Sequence, residues 1–96
     1  MEYQFQTTFW DDFTIAEKIG GKAVEDTFVR AFGEWKHDYA YLTELVLVLN
    51  WKMWDWHQAG DNYLSGLYHK FWEKANQYGI THLKGEQLSY FIRTLD

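Results

Sequence analysis

Between Asp38 and Gly60 the chain runs DYAYLTELVLVLNWKMWDWHQAG, with neither glycine nor proline inside that stretch. This segment constrains the fold more than any other, because its apolar residues fall on two sides at once. The run LVLVL has the composition of a buried strand, yet strand alternation does not persist beyond it. Leu42, Leu45, Val46, Leu49, Met53 and Trp56 instead recur at helical spacing and lie within about 100° of one another at 100° per residue. The spacing predicts one long helix from about Asp38 to Ala59, with Gly60 as its stop. On nearly the opposite side of the same helix Leu47, Trp51 and Trp54 form a second apolar strip, with Ala40 in line. Glu44, Lys52 and Asp55 separate the two strips on one flank, and Thr43, Asn50 and His57 on the other.

A helix with two apolar strips must be covered on two sides. Either the neighbouring helices of a bundle cover both, or the second strip meets another chain. Tryptophan carries a large apolar surface and an N–H that needs a partner, which is why it concentrates at the centres of interfaces. The candidate binding residues are therefore Leu47, Trp51 and Trp54, with Asp55 at the rim.

The rest of the chain supplies covering helices. Proline is absent, and the seven glycines fall mostly between periodic segments. A first helix is expected from Thr7 or Thr8 to Gly20, with Phe9, Phe13 and Ala16 on one face and Trp10 and Ile15 pointing elsewhere. A second, from about Lys22 to Trp35, carries the stripe Val24, Phe28, Ala31, Phe32 and Trp35. A fourth opens at Asp61, a good N-cap. It places Leu64, Leu67, Tyr68, Phe71, Ala75 and Tyr78 on one side, with Ser65, His69, Lys70, Glu73, Asn76 and Gln77 on the other. The ending KGEQLSYFIRTLD reads as a short helix after Gly85 or as an extended tail. With Tyr3 and Phe5, that ending leaves room for a minor two-stranded pairing of the termini. The sequence thus predicts an all-α, single-domain bundle of four to five helices over residues 1–96, with a long central third helix.

Composition narrows the function. A chain of 96 residues buries only about 60 to 65% of its unfolded surface, enough for one core. With 47% hydrophobic and 21% aromatic residues it can fill that core. No cysteine is present, so a disulfide framework and a thiolate metal site are excluded and a reducing compartment is expected. The start MEYQFQTTFWDD has neither the basic segment nor the apolar run of a secretory signal, and Leu45 to Trp51 is too short to span a bilayer. A soluble cytoplasmic protein with no membrane partner is the expectation. The net charge of -5 argues against direct nucleic-acid binding. The excess sits in residues 1–48, which hold nine acids and four bases. Those acids open one alternative role, imitation of a phosphate backbone by Asp11, Asp12, Glu17, Glu25 and Asp26 to regulate a nucleic-acid enzyme.

Catalytic chemistry has little support. Glu34-x-x-His37 has the helical spacing of a di-iron ligand pair, but such a site needs a second motif and two further glutamates. His57 with Asp61, and His69 with Glu73, read as solvated contacts one turn apart. No nucleophile elbow or phosphate-binding glycine loop occurs. The expectation is a non-enzyme without cofactor or metal, acting by binding another protein or a second copy of itself.

The runs TTFWDDFTIAEKIG and YLTELVLVLNWKMW and the ending KGEQLSYFIRT resemble small helical proteins encoded on conjugative elements and prophages of Gram-positive bacteria. The resemblance spans nearly the whole chain and brings no activity or catalytic residues with it. It implies an accessory protein of a mobile element that binds host or element proteins.

Overall fold

The computed structural model describes residues 8–95, which form α1 (Thr8–Ile19), α2 (Gly21–Trp35), α3 (Tyr39–Gln58), α4 (Asn62–His82) and α5 (Gly85–Leu95). The helix boundaries follow local chemistry. The carboxylate of Asp38 accepts from the backbone N–H of Ala40 at 3.0 Å and of Tyr41 at 3.3 Å, capping α3. Asp61 accepts from Leu64 N–H at 2.9 Å and caps α4 in the same way. Between these helices Gly60 takes φ +83°, a left-handed turn that a side chain would strain. Gly20, at φ +148°, is the single residue joining α1 to α2.

The predicted long central helix is present: α3 packs against each of the other four, most extensively against α4. Its core strip is buried as the spacing required, with Leu42, Leu45, Val46 and Leu49 inaccessible to solvent, while Met53 and Trp56 are half-buried at its far end. Around it gather Phe13 and Ala16 of α1, Val24 and Phe28 of α2, Tyr68, Phe71 and Ala75 of α4, and Phe91 of α5. Among the described residues no helix is long and apolar enough to cross a membrane.

Three expectations are corrected. The ending is the helix α5, so it forms no strand for a pairing of the termini; Tyr3 and Phe5 lie outside the described residues. Ser65, assigned to the polar face of α4, is buried where α4 turns toward α3, with its hydroxyl on the Asn62 carbonyl at 3.3 Å. Glu44 and Lys52, placed between the strips of α3 as separators, are also buried, together with Val48 on the same flank. That flank faces the bundle interior, which widens the buried side of α3 and leaves a single exposed strip.

The seat of α5 depends on an absent side chain. Phe91 is fully buried, and its ring lies where a Cβ on Gly79 of α4 would stand. Gly79→Ala is therefore expected to cost about 1 to 3 kcal/mol, since overpacking outweighs the gain in helix propensity. Gly33, exposed within α2, has nothing near the same position. Gly33→Ala is expected to stabilise by about 0.4 to 1 kcal/mol, so thermal unfolding of the two variants gives shifts of opposite sign.

Candidate functional site

The second strip of α3 remains at the surface. Trp51 is 45% and Trp54 51% exposed, whereas the residues of the opposite strip have no accessible surface over its first two turns. Leu47, one turn before Trp51, is half-buried, and Asp55 is exposed. At 100° per residue Trp54, Leu47, Trp51 and Asp55 span about 100° of the helix, so the four predicted residues share one face.

Beside Trp54 this face deepens into a groove of about 380 Å³ between α3 and α4. Met53, Trp54 and His57 form its α3 wall, and Ser65, Gly66 and His69 its α4 wall. Gly66 is exposed and no atom lies near its missing Cβ, so the groove is open at that point. His57 meets the Trp54 ring edge-on, with centroids 5.6 Å apart. Met53, on the core strip by its spacing, is half-buried at the end of that strip and also lines this groove, which is built from residues of two helices and so leaves no mark on either one alone.

On the far side of Asp55 lies a buried polar network. Lys52 Nζ donates to Thr14 Oγ1 at 2.7 Å and to Glu17 Oε1 at 3.2 Å, and sits 4.0 Å from the centroid of the Trp10 ring. The ammonium thus has an acceptor or a π face for each of its three protons. Glu17 Oε2 accepts from Trp56 Nε1 at 2.9 Å and from Tyr68 OH at 2.6 Å. The Lys52 and Glu17 side chains are only 5% and 8% exposed. This arrangement answers the demand of the third tryptophan of α3: the indole N–H of Trp56 finds its acceptor on α1. Lys52 adjoins Trp56 on the helix wheel, a signal that it lies at the core edge, but its partner was not readable from α3 alone.

Burial, and then the hydrogen bond to Glu17, push the Tyr68 phenol well above its ordinary pKa of 10.0. The native protein keeps this proton where the unfolded chain releases it. Stability from this group is therefore intact below about pH 10 and falls above it, by about 1.4 kcal/mol per pH unit while only the unfolded chain is ionised. Urea denaturation between pH 9 and 11.5 is expected to show this alkaline loss in wild type and a shallower one in Tyr68→Phe.

The other candidates are dispersed. Glu34 and His37 are both exposed. Among the described residues no three His, Asp or Glu side chains are placed to hold a metal ion. Of the five acids considered for phosphate imitation, Glu17 is turned inward to Lys52 and Asp26 is paired with Lys22 at 2.9 Å. Asp11 and Glu25 are exposed and Asp12 is half-buried.

Neither family models, nor curated proteins, nor solved structures give a match to this chain.

Proposed function

We propose that this protein acts by binding another protein, or a second copy of itself, through the α3 face formed by Leu47, Trp51, Trp54 and Asp55. The observation that carries this reading is the exposure of Trp51 and Trp54, 45% and 51%, on the helix that is otherwise the centre of the core. A tryptophan can bury about 150 to 250 Å², so covering the exposed half of each indole returns about 2 to 3 kcal/mol at 25 cal/mol/Å². The adjacent groove has room for an inserted apolar side chain, and Asp55 supplies a charged rim of the kind that sets orientation.

Phosphate imitation draws less support, because Glu17 and Asp26 are engaged with lysines. The absence of cysteine suits action in the reducing cytoplasm. A role as an accessory protein of a mobile element, which the sequence resemblance implies, suits a small binding module without chemistry of its own.

Sedimentation velocity over a wide concentration range, with wild type and Trp51→Ala/Trp54→Ala as parallel baits for capture from the native host, tests the proposal. Wild type is expected either to self-associate or to retain a partner that the double variant loses. A strictly monomeric wild type whose captured proteins match those of the double variant would overturn it.

A further inference from the structure

We propose that the occupant of the α3–α4 face is a second copy of this chain, packed about a two-fold axis that runs along the groove beside Trp54. This pairing rests on the reading of α3 as a binding face and deepens it by naming the partner. Rotation about such an axis exchanges the two sides of the groove, so α3 of each copy lies over α4 of the other.

The register of the two helices decides what then touches. α3 and α4 are joined by the turn at 59–61 and pack side by side in opposite directions, and Met53 Sδ meets His69 Nδ1 at 3.2 Å, which sets those two residues at one height. At a rise of 1.5 Å per residue, Trp54 and Gly66 differ in height by about 3 Å, and Asp55 and Lys70 by about 4.5 Å, each less than one turn. On α3, Asp55 lies about 100° beyond Trp54, away from the groove; on α4, Lys70 lies about 40° beyond Gly66, also away from it. Exchange of the two sides therefore sets the Trp54 indole of each copy over Gly66 of the other. It also sets Asp55 of each copy beside Lys70 of the other, and both of these residues are exposed. Symmetry makes each contact twice. Nothing lies within 4 Å of the missing Cβ of Gly66, so the seat for the indole is open.

Charge and area favour a second copy over an unlike partner. The acid excess of the chain sits in residues 1–48, whereas residues 49–96, which supply nearly all of this face, hold five acids and five bases. A face of one sign would repel its own copy and call for a partner of the other sign; a balanced face with an acid on one rim and a base on the opposite rim complements itself. Helices of 20 and 21 residues are each about 30 Å long, and two side by side are about 20 Å wide, so the face offers about 600 Å² per copy. Two such faces bury about 1,200 Å², the lower edge of the range for stable interfaces. In a molecule of 38 × 22 × 21 Å this is one whole long side.

Sedimentation velocity of the full chain from about 1 to 500 µM is expected to show a reversible dimer with a Kd of about 1 to 100 µM, as suits a small interface. Gly66→Leu fills the seat of the indole and is expected to weaken the dimer by at least about ten-fold. The same substitution should leave thermal stability equal or higher, because leucine is the better helix former at an exposed position with room for it. A merely structural role for Gly66 would move stability instead. Lys70→Glu is expected to weaken the dimer by about five-fold or more, and Asp55→Lys/Lys70→Glu, which swaps the two rims, to restore it to within about two-fold of wild type. Circular dichroism checks that each variant is folded. A chain that stays monomeric throughout, a dimer unmoved by Gly66→Leu, or a rim swap that fails to restore association would overturn the pairing. A monomeric wild type that still captures a host protein through Trp54 would sink the second copy alone and leave the binding face standing.

Discussion

Glu17→Leu is expected to remove about 3 to 5 kcal/mol of folding stability, because it strands a buried ammonium. The Lys52 side chain, 5% exposed, would keep Thr14 Oγ1 and the Trp10 ring but lose the carboxylate paired with it at 3.2 Å. Tyr68 OH and Trp56 Nε1 would lose their common acceptor in the same step. Lys52→Met is expected to cost less, about 2 to 3 kcal/mol, because the Glu17 carboxylate retains those two donors. The double variant Glu17→Gln/Lys52→Met carries no charge and leaves an amide oxygen for Tyr68 or Trp56. It is expected to be less destabilised than the sum of Glu17→Gln and Lys52→Met by at least about 1 kcal/mol. Urea denaturation of wild type, the singles and the double at pH 7 measures this coupling. Costs below about 1 kcal/mol for both Glu17→Leu and Lys52→Met, as for an exposed ion pair, would show that water reaches the network. The contacts join three helices, α1 through Trp10, Thr14 and Glu17, α3 through Lys52 and Trp56, and α4 through Tyr68. Their directionality ties one register of α1 to the α3–α4 pair, which apolar packing alone specifies less sharply.

That network also marks where the sequence stops being readable. The core strip of α3, the stripe of α2 and the cap at Asp61 are local patterns, set by a period of 3.6 residues or by a carboxylate beside free N–H groups, and a single sequence displays them. The separate character of Trp51 and Trp54 is equally local, being an angle on one helix. Burial of Lys52 is not local, because an ammonium is tolerated inside only where another element brings an acceptor to the same depth. Here that acceptor stands 35 residues away, on α1. The groove failed to show for a related reason: Met53 and His69 are 16 residues apart and meet only because α3 and α4 pack side by side. Periodicity gives the direction in which a side chain points, and only packing gives what it meets there.

The same distinction separates the aromatic residues by what their loss should do. Phe71→Ala is expected to cost about 3 to 5 kcal/mol, because the ring is 7% exposed and is stacked on Phe28 with centroids 4.4 Å apart and planes 6° from parallel. Tyr68 meets its edge at 6.5 Å, so truncation opens a cavity that neither neighbour can fill without leaving its own contacts. Trp35, at the end of the apolar stripe of α2, is only half-buried and leans on Tyr41 at 4.2 Å; Trp35→Ala is expected to cost less than Phe71→Ala. Trp54→Ala is expected to cost about 1 kcal/mol or less in stability, since half of its surface is already in water. If Trp54 anchors a partner, the same substitution should weaken binding by about 2 kcal/mol or more, the scale of an interface hot spot. Stability and binding thus move in opposite proportion for Phe71 and Trp54, and measuring both on each variant separates a core aromatic from a docking one. A loss of stability in Trp54→Ala equal to that in Phe71→Ala would assign the indole to the fold and remove the basis for a binding face on α3.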